Sequence, residues 1–211
     1  MPSFFRVSIR LPGWLHAYEA SFKDVEFETD EAMMDVAVEI SKRNVSEGSG
    51  GPFGCAIFEK DPQTKKTKLF AVGANRVVPL TNSTIHGEMA AIQFAEKKLK
   101  SFTLRPSESD KEYIMCTSCE PCAMCLGGTF WAAPAEMICG ATKDDAEAIG
   151  FNEGPVCKYG TYSTTNVSVI NALHAVLTHG LICRYDDVQS RNHMMDEEIS
   201  WPDFAREATV T

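Results

Sequence analysis

Apolar residues recur at helical spacing through Met33, Val36, Ala37 and Ile40, behind a start signal at Thr29-Asp30-Glu31 and ahead of a stop at Glu47-Gly48-Ser49-Gly50-Gly51. The pattern predicts a helix over about 30 to 45. Phe53 to Glu59 reads as a strand, Asp61-Pro62-Gln63-Thr64 as the turn of a hairpin, and Lys68 to Asn75 as its partner. A second helix opens at Thr84, capped by Ser83 or Thr84, and runs through Met89, Ile92, Phe94 and Ala95 to Lys97, Lys98 and Lys100, a basic end that suits its dipole. Tyr113 to Thr117 follows as a strand, Pro121 to Ala132 as a helix, Glu136 to Ala141 as a strand and Asp144 to Ile149 as a short helix. Further on, Val167 to Ala172 reads as another strand, and Asp196 to Ala208 as a terminal helix broken near Pro202. Residues 151–166 and 174–195 carry no pattern that places them. Strands alternating with helices imply an α/β chain with a layered α/β/α domain and a mixed sheet, the hairpin antiparallel and the later crossovers parallel.

A length of 211 residues suits one domain with an ample core. The expected division is an N-terminal arm over 1–28, a domain over 29–185, and a C-terminal segment over 186–211 that serves as a lid or is exchanged in a dimer. Net charge is −9 with no basic stripe, which argues against a protein that holds the phosphates of tRNA or DNA and favours a small neutral substrate. Four of the eight cysteines fall at Cys116, Cys119, Cys122 and Cys125, too tight for a disulfide framework, so a reducing, cytoplasmic compartment is expected. Arg6 and Arg10 with no acid before Glu19 leave an organellar transit peptide as the alternative, but Phe4, Phe5, Trp14 and Tyr18 favour an ordered amphipathic arm. No apolar run reaches the ~18 residues of a membrane span; the richest, Cys122 to Ala133, is broken by Pro134.

The candidate chemistry lies in two stretches that must meet in space. His86-Gly87-Glu88 is separated from Pro121-Cys122-Ala123-Met124-Cys125 by thirty-two residues. A catalytic zinc takes three protein ligands and leaves its fourth position open, and one imidazole with two thiolates is a known set. His86, Cys122 and Cys125 supply it, one zinc per chain. Cys122 and Cys125, three apart, share a helix face, and Pro121 fits a helix's first turn. A helix N-terminus favours the thiolates. Glu88 is read as a proton carrier rather than a ligand. Two thiolates cancel the metal's charge and leave bound water less acidified, so a nearby carboxylate gains value. Residues two apart point about 200° apart on a regular helix, so His86 and Glu88 can address one metal only at the helix tip.

His-x-Glu followed by Pro-Cys-x-x-Cys is the signature of zinc-dependent nucleobase deaminases, and on it the chain resembles the cytidine deaminase superfamily. Gly51-Pro52-Phe53-Gly54, Gly73-Ala74-Asn75-Arg76-Val77, Thr117 to Cys125 and Glu147-Ala148-Ile149-Gly150-Phe151 look like bacterial-type guanine deaminases and their aminotriazine-active relatives, over about 30 to 157. The resemblance implies a three-layer α/β/α sandwich with a mixed five-stranded sheet, a homodimer, and hydrolysis of an exocyclic amine to a carbonyl with release of ammonia. It further implies that Asn75 contacts the substrate ring, that Phe53 lines the pocket, and that an acid at Asp145 or Glu147 reads or protonates the base. Gly87 departs from the Ala usual in guanine deaminases and resembles fungal-type cytosine deaminases.

The leading expectation is hydrolysis of a free base, guanine to xanthine, with Glu88 and Glu147 catalytic and Asn75, Phe53 and Asp145 binding substrate. Cytosine, an ammeline-type aminotriazine, or adenosine in tRNA are the enzymic alternatives. A structural four-thiolate zinc module through Cys116 and Cys119 is the non-enzymic one, but it leaves Glu88 without a use. Trp14, Phe130, Trp131 and Met137 are expected to form the exposed apolar surface of a homodimer.

Overall fold

The computed structural model describes residues 7–105, 111–148, 150–152, 154 and 166–169. In chain order the elements are α1 (Gly13–Ser21), α2 (Asp30–Ser46), β1 (Gly54–Lys60), β2 (Thr67–Ala74), α3 (Gly87–Leu99), β3 (Glu112–Cys119), α4 (Ala123–Ala132), β4 (Glu136–Ala141), α5 (Lys143–Ala148) and β5 (Asn166–Val169). The sheet order is β2-β1-β3-β4-β5. β1 pairs antiparallel with β2 and β3, whereas β3, β4 and β5 run parallel, so the sheet is mixed. The first four strands are described with their side chains and β5 by its backbone alone. The predicted terminal helix over 196–208 lies outside the described residues.

Both faces of the sheet are covered, which is why its strands read as continuous apolar runs rather than strict alternation. Ala56 and Phe58 of β1, Val72 of β2, Ile114 and Cys116 of β3 and Ile138 of β4 turn toward Met33, Val36, Ala37 and Ile40 of α2. Their neighbours Cys55, Ile57, Ala71, Tyr113, Met115, Met137 and Cys139 turn to the other face, against Ala91, Ile92 and Ala95 of α3 and Ala132 of α4. Burying one side chain of the size of Phe58 contributes roughly 1.5–3 kcal/mol.

α2 begins where its sequence signal placed it, with the Thr29 hydroxyl accepting from the Ala32 N–H at 3.2 Å. β4 matches its predicted span. β3 extends past Thr117 to Cys119, because Cys119 stays in register with Ala141 of the neighbouring strand. α1 was not foreseen as a helix. Leu11 and Leu15 are buried in the α2 side of the core, and Trp14, Tyr18 and Phe22 pack against it.

Two expectations about the apolar surface need correction. Met137 is fully buried between strands and helices, and Trp14 is half-buried with the Arg43 guanidinium 4.7 Å from its ring centroid. Phe130 and Trp131 do face solvent, at 54% and 78% exposure, with Phe102 nearby at 86%. No helix among the described residues is long and apolar enough to cross a membrane.

Candidate active site

The site lies at the sheet end where β2, β3 and β4 finish and β1 begins, the end at which open α/β sheets bind ligands. Register aligns this row: Gly54 faces Ala74, Cys55 faces Thr117, Thr117 faces Cys139, and Cys119 faces Ala141. Each strand then hands the chain to a candidate residue: Phe53 before β1, Asn75 after β2, Cys122 after β3 and Asp145 after β4.

Two helix N-termini converge here. His86 is the N-cap of α3 and Cys122 the N-cap of α4, both with extended backbone and neither capping its helix with its side chain. The sequence reading started α3 at Thr84 and α4 at Pro121; both helices start later. Thr84 is instead held in a turn, its N–H and hydroxyl donating to the Asn82 side chain. The later start resolves the 200° difficulty. His86 lies just outside the helix and Glu88 at its second position, so helical periodicity does not separate them.

A close approach fixes α3 against the sheet. A Cβ on Gly73 of β2 would stand 2.1 Å from the Gly87 carbonyl oxygen and 2.4 Å from the Ala91 nitrogen. Gly87 itself lies against the Phe53 carbonyl, 3.2 Å from where its own Cβ would be. The predicted lack of bulk at Gly87 therefore serves a backbone neighbour.

The ligand atoms of His86, Cys122 and Cys125 lie within 4.8 Å of one another, and Cys122 Sγ is 3.6 Å from His86 Nδ1. One imidazole and two thiols in this grouping fit an open tetrahedral zinc. Cys122 is pulled down to about 4, first by the hydrogen bond from Cys125 and then by His86. Cys125 is pushed up by that hydrogen bond to Cys122, by burial and by Glu88. Glu88 is only 6% exposed; burial raises its carboxyl above the usual carboxylate range, while bonds from its own N–H and the Cys125 thiol oppose the rise. Cys116 is buried within the sheet, and the Cys119 thiol donates to the Thr142 carbonyl at 3.7 Å; neither joins the metal group.

The specificity residues are less uniform. Phe53 meets Phe151 edge to face at 4.8 Å beside Cys119, Ala141 and Ala146. Asn75 donates its N–H to the Phe53 carbonyl at 3.0 Å, and its Oδ1 accepts from the Val77 N–H at 3.2 Å, so it makes a turn as well. No hydrogen bond among the described residues engages its Nδ2. Asp145 closes a capping box, its Oδ2 accepting from Thr142 N at 2.9 Å and Thr142 Oγ1 at 2.5 Å. Glu147 is exposed and pairs with Lys143 Nζ at 3.3 Å. The structure thus brings His86, Glu88, Cys122 and Cys125 into one cluster, with Asn75 and Phe53 on adjoining loops. It leaves Asp145 in its helix cap and Glu147 on the helix surface.

Sequence reasoning missed Glu120 and Asn44. The Glu120 carboxylate accepts from the Lys143 N–H at 2.7 Å and so ties the metal-ligand loop to α5. Asn44 is fully buried at a position that continues the apolar stripe of Met33, Ala37 and Ile40. A polar residue on that stripe was the available signal.

Over residues 27–141 the sequence matches the family described as the cytidine and deoxycytidylate deaminase zinc-binding region. The chain is 35% identical over 128 residues to a guanine deaminase of Bacillus subtilis, covering 61% of this chain and 74% of that protein. It is 32% identical over 118 residues to a probable cytosine deaminase of Schizosaccharomyces pombe, covering 56% and 64%. Among solved structures, NE0047 in complex with 2,6-diaminopurine is similar at a TM-score of 0.74 and 28% identity, covering 92% of this chain and 96% of that one. A guanine deaminase from Nitrosomonas europaea is similar at 0.71 and 29%, covering 89% and 98%.

Proposed function

The chain belongs to the cytidine and deoxycytidylate deaminase family and is a zinc-dependent hydrolytic deaminase of nucleobases, and we propose that its substrate is guanine, converted to xanthine with release of ammonia. The observation that carries the choice of base is its likeness to guanine deaminases in both sequence and structure. The chemistry of the specificity residues supports it. The Nδ2 group of Asn75 is a donor, and guanine offers a carbonyl and N7 as acceptors on its edge. Adenine has no such carbonyl. The acidic net charge and lack of a basic stripe favour a free base over tRNA.

His86, Cys122 and Cys125 hold the zinc. When bound there, the metal supplies Lewis acidity that makes water nucleophilic near neutral pH. Glu88 moves the protons: its carboxylate accepts one from the attacking water and gives it to the ring nitrogen beside the aminated carbon, then accepts the second from the hydroxyl now on that carbon and gives it to the departing amine as the C–N bond breaks. Burial brings the basicity of Glu88 closer to the working pH. Phe53 walls the ring. Of the two candidate acids on α5, Asp145 and Glu147, Glu147 is the one available to a base, because Asp145 is occupied in its cap; Glu147 lies at the surface, and ion pairs there are worth about 0–1 kcal/mol, so its pair with Lys143 yields readily.

Two further features belong to this reading. Phe102, Phe130 and Trp131 present an apolar face suited to a second copy of the chain, giving a homodimer. The buried thiols of Cys55, Cys116 and Cys139, in no disulfide among the described residues, suit a reducing cytoplasm. The test of function is ammonia release from guanine, guanosine, cytosine, adenine and ammeline, run also on Glu147→Gln. Guanine should be fastest and the variant slower than its parent. Unchanged turnover in Glu147→Gln would remove that residue from the site.

A further inference from the structure

The metal half of the site is built on two helix tips, but the loop carrying Asn75 has no helix to anchor it. Its anchor is a side chain that reaches it from the far end of α2. Asn44 is fully buried, and its Nδ2 donates at 2.8 Å to the Gly51 carbonyl and at 2.8 Å to the Asn75 carbonyl. Two carbonyls on one side of the amide require the NH2 group there, which leaves Oδ1 to accept on the other side. It does so from Ser49 Oγ, at 2.8 Å.

Ser49 is itself fixed from several directions. Its N–H donates to the Asn44 carbonyl at 2.9 Å, its hydroxyl oxygen accepts from Trp14 Nε1 at 3.0 Å, and its carbonyl accepts from the Arg76 guanidinium. Trp14 belongs to α1, so the N-terminal helix reaches the substrate loop through Ser49 and Asn44. The Gly51 backbone in turn lies against the Asn75 side-chain amide, whose atoms would be 3.4 to 3.8 Å from a Cβ at position 51. Both carbonyls that Asn44 holds therefore belong to the two segments that frame the Asn75 amide.

We propose that Asn44 is a positioning residue for base selection: by clamping the Gly51 and Asn75 carbonyls, under the orientation imposed by Ser49, it sets where the Asn75 amide meets the ring. It touches neither substrate nor metal. The proposal rests on the reading of Asn75 as the group that meets the base. A buried amide with its donors and its acceptor all satisfied is a rigid device; losing only its donors takes that partner from the Asn75 carbonyl, leaves the Gly51 carbonyl with the Phe53 N–H alone, and sets a carboxylate beside both.

Asn44→Asp keeps shape and the acceptor for Ser49 while removing both donors. In the zinc-loaded full chain this variant, Asn75→Ala and the double variant are to be compared for kcat and KM on guanine and cytosine, with zinc content measured for each. Asn44→Asp is expected to raise KM for guanine and lower the guanine-to-cytosine ratio of kcat/KM, each by about tenfold, with one zinc per chain retained. The double variant should lose no more selectivity than Asn75→Ala alone, since the effect passes through Asn75. If Asn75→Ala leaves the ratio unchanged, the assignment of Asn75 fails and the clamp's role with it. If Asn75→Ala lowers the ratio but Asn44→Asp slows guanine and cytosine equally, and the losses add in the double variant, Asn44 is only a stabiliser and the proposal is overturned. Should Asn44→Asp fail to fold, Ser49→Ala removes the hydroxyl that orients the amide from a partly exposed loop. A fall in the ratio of about threefold is then expected, and an unchanged ratio overturns the proposal.

Discussion

Gly73→Ala places a methyl group where β2 meets the first turn of α3, at the point from which His86 and Glu88 are set. Ordinary contact begins at 3.4 Å, and the new Cβ would stand 2.1 Å from the Gly87 carbonyl oxygen, short by 1.3 Å. The other close atoms, the Ala91 nitrogen at 2.4 Å and the Ala91 Cβ at 2.9 Å, are fixed to the helix backbone, so no side-chain rotation relieves the clash. Relief requires α3 to move outward by about an ångström. Overpacking of this kind costs about 1–3 kcal/mol, offset by the ~0.5–1 kcal/mol that alanine gains over glycine inside a strand. The expected net loss is about 1 kcal/mol, read as a lower denaturation midpoint at unchanged slope. Because Gly87 lies between His86 and Glu88, the same shift misplaces both, and a 1 Å error in an active site costs about 10²-fold in turnover.

Gly87→Ala is the internal control. Its Cβ would stand 3.2 Å from the Phe53 carbonyl, a shortfall of only a few tenths of an ångström, and guanine deaminases generally carry alanine there. It should fold and turn over within about tenfold of the parent, which corresponds to about 1.4 kcal/mol. Ammonia release and urea unfolding of the zinc-loaded proteins give both quantities. A Gly73→Ala protein with parental stability and kcat would refute the claim that backbone contact between β2 and α3 sets the site.

Three further expectations follow from separate parts of the structure. Glu88→Gln should retain one zinc per chain by elemental analysis yet lose about 10² to 10⁴ in kcat; equal loss of zinc and activity would count against a proton-carrying role. Trp131→Glu, on the exposed face of α4, should turn a dimer into a monomer in light scattering, whereas a monomeric parent at micromolar concentration would contradict the assembly. Asp61 is held down at about 2 by the Thr64 N–H first, then by Lys111 and the Gln63 N–H. A carboxylate whose folded pKa lies below its unfolded ~3.9 adds stability that is present above pH ~4 and lost as the pH falls toward 2. Asp61→Asn should therefore show a smaller loss of stability across that window than the parent, and an identical acid profile would show that the hairpin bonds carry no linkage.

The metal centre was legible because its chemistry demands particular residue types at particular spacing: His86, Glu88, Cys122 and Cys125 have few substitutes. Helix starts were not, because His86 and Cys122 take extended backbone as N-caps, which propensity at Thr84 and Pro121 does not foretell. α1 is short and opens after a proline, so Trp14 and Tyr18, with Phe4 and Phe5 before them, were read only as an amphipathic arm. Asp145 illustrates the limit for specificity residues. An acid three residues after Thr142 serves a capping box as well as it serves a substrate, and the two roles look alike in sequence. Met137 appeared free to face a partner because nothing local revealed that β4 has helices on its Met137 side. Asn44 carried a signal only in hindsight of its stripe, since its partners lie seven and thirty-one residues away.

The most direct measurement of the central claim is kcat/KM for ammonia release from guanine and from cytosine by the same zinc-loaded preparation, with Glu88→Gln as the blank. A site that hydrogen-bonds its base rejects one lacking the matching groups by up to about 10⁴. Guanine is expected to exceed cytosine by several powers of ten, with both rates lowered about 10²- to 10⁴-fold in the blank. Faster release from cytosine would contradict the assignment and make Gly87, shared with fungal-type cytosine deaminases, the truer guide to the substrate.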